Sequence, residues 1–394
     1  MDGQARKLIE AFRARYGGEA PPRLWRAPGR VNLIGEHTDY NLGFVLPIAL
    51  ELACWVAAAP SGGDLLRAYS ANTGEERAWP AARIAELQPA GDWGDYVAGV
   101  AVELARAGYP IRPANLLIDS TVPIGGGLSS SASLEVATAL ALLDGRPIEP
   151  LELARLARRA ENQFAGMPCG IMDQYVSIFG RRGCALKIDC RSLESEAVRL
   201  PEGVAIVAVN SMVKHALSAT AYRDRVEQCR QAVEAIRTKH PEVESLRDAR
   251  LEHLELVEGV ARRRARHVLS ENRRVEDFVA ACRSGDLQAM GALFVASHRS
   301  LAADYEVSCQ ELDFLVDAAL AIPGVYGARM TGGGFGGCTV TLVAPEMVTR
   351  FEEAVSRAYW NHFGIEPRLY RCEASAGAAE VSEDEELSNT VISI

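Results

Sequence analysis

The chain has 394 residues, of which 48% are apolar and 24% are charged, and these fractions are typical of globular proteins. This length favours two domains, because a single core usually stops growing near ~250–300 residues. The formal net charge of −10 argues against a nucleic-acid-binding protein, because neutralising phosphates requires clustered cations.

The first seventeen residues, MDGQARKLIEAFRARYG, predict an amphipathic helix and lack the apolar core of a secretory signal. No apolar run approaches the ~20 residues that a membrane-spanning helix needs. We therefore expect a cytoplasmic protein that binds neither membranes nor nucleic acid. The nine cysteines agree with this expectation, because their number is odd and none form a CxxC pair, which favours free thiols over disulfides or a zinc site.

Strand and helix patterns are mixed along the chain and predict an α+β fold. Strands are expected at 44–58, 64–69, 115–119, 184–189, 204–209, 326–330, 338–343 and 366–372. Helices are expected at 132–143, 152–165, 222–240, 247–254, 272–285, 287–299, 309–321 and 347–363. Because the second half is richer in helices, we place one domain at 1–198 and another at 199–378. Residues 379–394, acidic and then polar, predict a poorly ordered tail.

The first polar segment, RAPGRVNLIGEHTDYN at residues 26–41, suits a ligand with many hydroxyl groups. Within twelve residues it carries Arg30, Asn32, Glu36, His37, Asp39, Tyr40 and Asn41. Each sugar hydroxyl both donates and accepts hydrogen bonds, so carboxylates and imidazole pair well with it. A polar surface loop is the alternative interpretation.

A glycine- and serine-rich turn at 125–131 joins a predicted strand to an apolar helix. Glycine lets the backbone approach an anion closely, and a helix start offers unpaired N–H groups and the positive end of the dipole. The sequence GGGLSSS fits neither a Rossmann nor a Walker pattern. We favour phosphate binding over a capped helix behind a tight turn. None of the four lysines adjoins this turn, so backbone amides, arginine and Mg²⁺ would have to carry phosphate charge.

Two further segments leave their interpretations open. The first is residues 161–179, where Asp173 lies in a largely apolar stretch. A carboxylate in such surroundings is either paired or functional, and the alternative is a helix N-cap. Glu161 in the same segment either faces solvent or takes part in a site. The five glycines between residues 332 and 337 precede a strand and form either a close-packed turn beside a cleft or a flexible hairpin tip. A basic run at 262–266 lies in a helical pattern, where a solvated helix face is favoured over a polyanion site.

Together these segments resemble the galactokinases, within the superfamily of GHMP small-molecule kinases. GRVNLIGEHTDYN is similar to the galactokinase signature, PIGGGLSSSAS to the GHMP nucleotide motif and MTGGGFGGC to the third GHMP motif. Further similar segments include MPCGIMDQ and AYRDRVEQC, and the resemblance covers nearly all of residues 20–378. The first motif is specific for galactokinases, whereas the glycine motifs are specific only for the superfamily.

The resemblance implies a two-domain GHMP kinase fold with the active site in the cleft. The N-terminal domain, which would bind galactose and ATP, would be like ribosomal protein S5 domain 2, and the C-terminal domain would be ferredoxin-like. The implied activity is ATP-dependent phosphorylation of the C1 hydroxyl of galactose to galactose 1-phosphate, by a monomer. The alternatives are an N-acetylgalactosamine kinase or another GHMP sugar-1-kinase, and a non-catalytic galactose sensor, which the intact sequence Ser131-Ala132-Ser133 disfavours.

The resemblance also implies residue roles. Asp173 would be the catalytic carboxylate at the C1 hydroxyl, and Arg30 would stabilise negative charge near the γ-phosphate. The galactose ligands would be Glu36, His37, Asp39, Gly170, Asp173 and Tyr222. The nucleotide would lie against Ser70, Trp93, Gly125, Gly126, Gly127, Leu128, Ser129, Ser130 and Ser131. Mg²⁺ would be held by Ser131 and Glu161.

Overall fold

The computed structural model describes residues 3–17, 21–214 and 218–381. The strands are β1 (Arg23–Asn32), β2 (Phe44–Val45), β3 (Pro47–Pro60), β4 (Leu65–Ser70), β5 (Glu75–Pro80), β6 (Ala114–Ser120), β7 (Cys184–Asp189), β8 (Ser195–Arg199), β9 (Ala205–Lys214), β10 (Val325–Thr331), β11 (Gly336–Val343), β12 (Arg368–Cys372) and β13 (Ala379–Glu380). The α-helices are α1 (Gly3–Tyr16), α2 (Gly94–Arg106), α3 (Ser130–Leu143), α4 (Pro150–Arg159), α5 (Met172–Phe179), α6 (Ser218–Arg237), α7 (Gly259–Ser284), α8 (Leu287–Ser300), α9 (Gln310–Leu320) and α10 (Val348–Phe363). Single π-helical turns at Ala160–Phe164 and Leu301–Tyr305 extend α4 and α8.

The N-terminal domain is built on a six-stranded sheet of order β13-β1-β3-β6-β4-β5 and a three-stranded sheet of order β2-β7-β8. Helix α3 packs against β1 and β3 on one side and against α2, α4 and α5 on the other. Its sequence is apolar on nearly every face, and a helix with that composition is stable only when it is surrounded by protein. The glycine- and serine-rich turn therefore leads into an element that is anchored in the core.

The C-terminal domain contains an antiparallel four-stranded sheet of order β10-β11-β9-β12. Helices separate β9 from β10 and β11 from β12, so the chain follows the β-α-β-β-α-β path of a ferredoxin-like domain, as the family resemblance implies. Helices α9 and α10 pack on one face of this sheet. On its other face, Val340 and Leu342 of β11 share an apolar cluster with Val31 and Ile48 of the N-terminal domain. This shared core fixes the two domains against each other.

The end of the described chain returns to the N-terminal domain. Ser375 donates a hydrogen bond of 2.6 Å to the carbonyl of Leu50, and β13 pairs with β1 in an antiparallel register. Arg23 of β1 binds Glu380 through two hydrogen bonds of 2.6 and 2.7 Å. The predicted tail at 379–394 is therefore wrong for 379–381, where cross-strand hydrogen bonds order the backbone. Residues 382–394 lie outside the described part of the chain.

Two predictions near the start of α7 differ from the structure. The helix predicted at 247–254 is replaced by a 3-10 turn at Leu251–Leu256, and the helix predicted at 272–285 begins earlier, at Gly259. The basic run lies on this earlier part of α7 but is not simply solvated. Arg264 is buried and pairs with Glu306 at 2.6 Å. In the described ranges, none of the helices has both the length and the hydropathy that crossing a membrane requires.

Candidate active site

The centre of the cleft is an ion pair between β1 and the first turn of α5. Arg30 donates from Nε and Nη2 to the two carboxylate oxygens of Asp173, both at 2.8 Å, and from Nη1 to the carbonyl of Gly127 at 2.6 Å. The Ser129 hydroxyl donates to the same carboxylate. Asp173 is the second residue of α5, whose N-cap is Ile171, so the N-cap interpretation is wrong. These contacts fix the carboxylate in one orientation.

A first cavity of about 130 Å³ opens beside Asp173. It unites all the predicted galactose ligands with Arg30 and contains residues of both domains. Its lining is Arg30, Glu36, His37, Asp39, Pro168, Cys169, Gly170, Met172, Asp173, Tyr222, Gly332 and Gly333. The segment 26–41 is therefore the wall of a polar cavity and not a surface loop.

Glu36 is held almost entirely by protein groups. Its Oε1 accepts hydrogen bonds from Gly332 N at 2.7 Å and from Thr331 Oγ1 at 3.0 Å, while Oε2 accepts from Asn32 and lies 3.1 Å from Nη2 of Arg329. Burial raises the pKa of Glu36, and Arg329 opposes that shift. With its lone pairs so engaged, Glu36 ties the loop to β10 and has little remaining capacity for a sugar hydroxyl.

His37 lines the first cavity and has one ring nitrogen without a partner in the described part of the chain. Its backbone is left-handed, with φ of 61°, and its Nδ1 lies 2.9 Å from the hydroxyl of Tyr40. The ring packs against Tyr222 and Tyr305, with centroids 5.4 and 4.8 Å away. Nε2 is buried without a hydrogen-bond partner among the residues that the structure describes. Burial lowers the pKa of His37 to about 3, so the ring is neutral near pH 7.

Asp39 approaches the cavity through the space above Gly170. A Cβ atom added at Gly170 would lie 1.7 Å from Oδ2 of Asp39, so only glycine allows this approach. Burial, followed by the nearby negative charge of Asp173, raises the pKa of Asp39 to about 6. Two carboxylates therefore face the same cavity, and a hydroxyl that donates to either of them relieves the cost of their burial.

A second cavity of about 260 Å³ adjoins the first, and the two share Arg30, Pro168, Cys169, Asp173, Tyr222 and Gly333. Its remaining wall comes from the turn before α3, the π-helical turn, the nearby Met167 and the glycine hairpin. That part of the lining is Gly125, Gly127, Ser129, Ser130, Ser131, Glu161, Met167, Thr331, Gly334, Phe335, Gly336 and Gly337. Of the predicted phosphate-binding run, Leu128 instead lies in the core and Gly126 packs toward Asn210, and neither lines the cavity.

The start of α3 is open toward this second cavity. The N-cap residue is Ser129, which has a left-handed backbone and makes no side-chain capping hydrogen bond, because its hydroxyl is turned to Asp173. Gly125 and Gly127 have φ of 71° and 74°. The hairpin that faces them is closely packed, since a Cβ at Gly334 would lie 2.2 Å from the carbonyl oxygen of Val307. An uncapped helix start with a tight glycine wall is suited to an anion.

Ser131 and Glu161 meet at the edge of the second cavity. The Ser131 hydroxyl donates to Oε1 of Glu161 at 2.8 Å, and Gln174 donates to Oε2 at 2.6 Å and to Glu135 at 3.0 Å. Burial raises the pKa of Glu161. Within the described ranges, no group of three or more His, Cys, Asp and Glu side chains forms a metal cage. A hydroxyl and a carboxylate beside an anion site nevertheless fit Mg²⁺, which binds through few protein ligands together with phosphate oxygens.

The structure does not bring Ser70 and Trp93 to either cavity lining. Ser70 ends β4, beside Ile118 of the parallel strand β6, and Trp93 donates to Oε2 of Glu75 at 2.9 Å. Their proximity to a nucleotide stays a prediction. Conversely, the buried pair Glu135 and Gln174 behind Glu161 was not predicted as part of the site. A carboxylate inside the apolar run of α3 was the signal that could have revealed it.

Comparisons with known proteins find similar sequences over most of the chain. Family models match for the galactokinase galactose-binding signature at residues 10–60, the GHMP kinase N-terminal domain at 95–181 and the GHMP kinase C-terminal domain at 278–362. A galactokinase of Roseiflexus sp. (strain RS-1) is 44% identical over 96% of this chain and 97% of that protein. A galactokinase of Homo sapiens is 46% identical over 93% of this chain and 94% of that protein.

Solved structures show the same similarity in three dimensions. The crystal structure of Lactococcus lactis galactokinase complexed with galactose matches with a TM-score of 0.91 and 34% identity, over 96% of this chain and 100% of that chain. Methanococcus jannaschii mevalonate kinase matches with a TM-score of 0.65 and 17% identity, over 91% of this chain and 99% of that chain. The second likeness concerns the fold alone.

Proposed function

The chain belongs to the galactokinase family, and from this premise we propose that its two adjoining cavities bind galactose and ATP so that the reacting groups meet at Asp173. The protein is a galactokinase, a phosphotransferase that phosphorylates the C1 hydroxyl of galactose, and its fold is the two-domain GHMP kinase fold. The observation that carries the proposal is that Arg30 and Asp173 line both cavities.

We assign the first cavity to galactose. Asp39, His37 and Tyr222 would contact its hydroxyls, and Gly170 would leave room for Asp39. The reacting hydroxyl would lie at Asp173, whose oxygens are already oriented by Arg30 and Ser129. Because Glu36 is engaged by protein donors, we propose that it mainly holds the loop in place.

The second cavity would hold the phosphates of ATP. The N–H groups at the start of α3 and the glycine backbone would bind phosphate oxygens, and Arg30 would face the γ-phosphate from the boundary of the two cavities. Ser131 and Glu161 would hold Mg²⁺, which neutralises phosphate charge during transfer. Ser70 and Trp93 stay predictions for the nucleotide, as do a monomeric state and a cytoplasmic location for the protein.

Asp173 would mainly orient the reacting hydroxyl, and it would accept the proton of that hydroxyl afterwards. Phosphoryl transfer passes through a loose transition state, so placing the hydroxyl in line and stabilising charge supply most of the catalysis. The ion pair with Arg30 keeps the carboxylate aimed while the hydroxyl attacks. Its proton then passes to Asp173 late in the reaction, when the oxygen has become bonded to phosphorus.

The test is ADP release by the purified protein with galactose, N-acetylgalactosamine, glucose and arabinose. We expect galactose to give by far the highest kcat/KM, because glucose leaves buried polar groups of the first cavity unpaired. Comparable values for galactose and N-acetylgalactosamine would favour an N-acetylgalactosamine kinase. Galactose binding without ADP release would favour a sensor.

A further inference from the structure

A continuous row of hydrogen-bonding groups leads from α6 to the first cavity. The Cys229 thiol lies 3.1 Å from the Tyr305 hydroxyl, which lies 2.7 Å from the Tyr40 hydroxyl. Tyr40 lies in turn 2.9 Å from Nδ1 of His37. Cys229, Tyr305 and His37 are all buried, so solvent does not compete for these contacts. The row ends at His37, which lines the cavity and whose buried Nε2 has no hydrogen-bond partner among the residues that the structure describes.

Whether Nε2 carries a proton determines whether His37 can donate a hydrogen bond to a ligand or accept one from it. A neutral imidazole carries one proton, so Nε2 is a donor when Nδ1 accepts and an acceptor when Nδ1 donates. The low pKa of His37, due mainly to burial, keeps the ring neutral. The backbone of Gly333 lies near the ring and favours its protonated form, although no hydrogen bond to Nε2 forms in the described part of the chain.

The far end of the row selects one direction. The Asn41 amide donates to the carbonyl of His37 at 2.8 Å, and this acceptor fixes the NH₂ group on the side where it also contacts the Cys229 sulfur at 3.7 Å. With its sulfur accepting from Asn41, the Cys229 thiol is free to donate to Tyr305. In the opposite direction the sulfur would accept from both Asn41 and Tyr305, and the thiol would make no donor contact within the row.

The chemistry of the cavity favours the same direction. Its carboxylates at Asp39 and Asp173 would accept hydrogen bonds from sugar hydroxyls, and a hydroxyl that donates to a carboxylate can still accept from a donor such as an imidazole N–H. On the basis of the proposed galactose site, we propose that Tyr305 and Tyr40 hold His37 in the tautomer with its proton on Nε2, which donates to a sugar hydroxyl. Tyr40 and Tyr305 are thus positioning residues for sugar recognition.

The tautomer can be measured without any substrate. Nitrogen NMR of protein labelled with ¹⁵N-histidine distinguishes a protonated ring nitrogen from an unprotonated one, and comparison with His37→Gln assigns the His37 signals. We expect a protonated Nε2 and an unprotonated Nδ1 in the unmodified protein. A protonated Nδ1 would overturn the proposed direction.

Kinetics test the positioning role. Tyr40→Phe leaves Nδ1 without its donor, and we expect the KM for galactose to rise about tenfold while kcat stays within about threefold, because His37 contacts a hydroxyl that does not react. Tyr305→Phe should raise the KM for galactose by a smaller factor, because Tyr40 can still donate to Nδ1 of His37. Tyr359→Phe is the matched control, since it removes another buried tyrosine hydroxyl, which donates to the carbonyl of Ser211 at 2.9 Å outside both cavities.

Deoxygalactoses identify the partner of Nε2. Tyr40→Phe should leave KM unchanged for the one deoxygalactose that lacks the hydroxyl contacted by His37, because that sugar makes no contact for the substitution to weaken. If Tyr40→Phe and Tyr359→Phe raise KM equally, or if Tyr40→Phe raises KM by the same factor for every deoxygalactose, Tyr40 does not position His37. If Tyr40→Phe fails to fold, the KM of Tyr305→Phe and the NMR of the unmodified protein still test the positioning role and the tautomer. Absence of galactose turnover in the unmodified protein would contradict the proposed function but not the tautomer.

Discussion

Arg30 and Asp173 lie 143 positions apart in the chain and meet through two parallel hydrogen bonds of 2.8 Å. The arrangement is the planar, two-point pairing that only arginine can offer to a carboxylate. Both residues line the first and the second cavity. In the proposed function the pair therefore marks the point of phosphoryl transfer.

Asp173→Asn should abolish most of the turnover and preserve galactose binding. The amide cannot accept the hydroxyl proton, so we expect kcat to fall by about 10²–10⁴-fold. The dissociation constant for galactose, measured by calorimetry, should change by less than about fivefold. Asp64→Asn, at an exposed turn outside both cavities, is the control. Ordinary turnover by Asp173→Asn would show that the carboxylate has another role.

Gly170→Ala should weaken sugar binding without affecting ATP. The new methyl would occupy the position of the Asp39 carboxylate and push it away from the cavity. We expect the KM for galactose to rise at least about tenfold and the KM for ATP to change little. Gly62→Ala introduces the same methyl where no atom lies within 4 Å and should behave as the parent protein. Equal galactose KM values for the two variants would contradict the assigned position of Asp39.

Acidification through pH 6 should reduce kcat/KM for galactose. The raised pKa of Asp39, about 6, means that its carboxylate is present above that pH and is lost as pH falls. The same pKa shift affects stability in the opposite direction to activity. The folded protein holds the proton of Asp39 more tightly than the unfolded chain does, so folding becomes less favourable as pH rises from about 4 to 6. In Asp39→Asn, kcat/KM should be low and lack the acidic fall near pH 6. An unchanged profile in that variant would assign the titration to another group.

Ser131→Ala and Glu161→Gln should raise the Mg²⁺ concentration needed for activity. Each removes one proposed ligand, and we expect the half-saturating concentration to increase at least about tenfold. Binding of Mn²⁺ with ATP, followed by electron paramagnetic resonance, provides a readout that is independent of turnover. Ser284→Ala, at the far end of α7, is the control. An unaltered metal requirement in both variants would remove these residues from the metal site.

Arg329→Met should destabilise the protein strongly. Arg329 is fully buried, lies 3.1 Å from Glu36 and 4.0 Å from Glu271, and donates to the carbonyl of Leu33 at 2.6 Å. Removing it leaves the buried carboxylate of Glu36 without its contacting cation, whereas Glu271 keeps Arg274 at 2.6 Å, and we expect a loss of about 3–5 kcal/mol in the free energy of unfolding. Arg371→Met breaks an exposed ion pair with Glu352 and should change the free energy of unfolding far less, because solvent screens that pair. Chemical denaturation compares the two variants.

Local sequence patterns predict much of the site because its parts are short segments. Asp39 lies only a few residues from Glu36, and Ser129 opens a helix whose apolar sequence is evident. Strand β7, predicted as a buried strand at 184–189, agrees with its prediction at both ends. The ferredoxin-like sheet and the two-domain fold are also confirmed.

The remaining features depend on contacts between distant segments. The buried face of α7 includes Arg264, His267 and Glu271, and periodicity alone assigns such residues to solvent, so the start of the helix was missed. The engagement of Glu36 by Arg329 is equally hidden, because it requires β10 to lie beside the loop. Patterns within one segment cannot reveal which distant charge compensates a buried one.

Strand β13 has a consequence for how the protein is made. Its partner β1 is synthesised early, yet the Arg23–Glu380 contact joins residues 357 positions apart. During translation the outer edge of β1 therefore keeps unpaired N–H and C=O groups until the second domain has emerged from the ribosome. Contacts of such sequence separation form late and slowly, so the nascent N-terminal domain would expose an unpaired edge strand, to which chaperones can bind, for most of its synthesis.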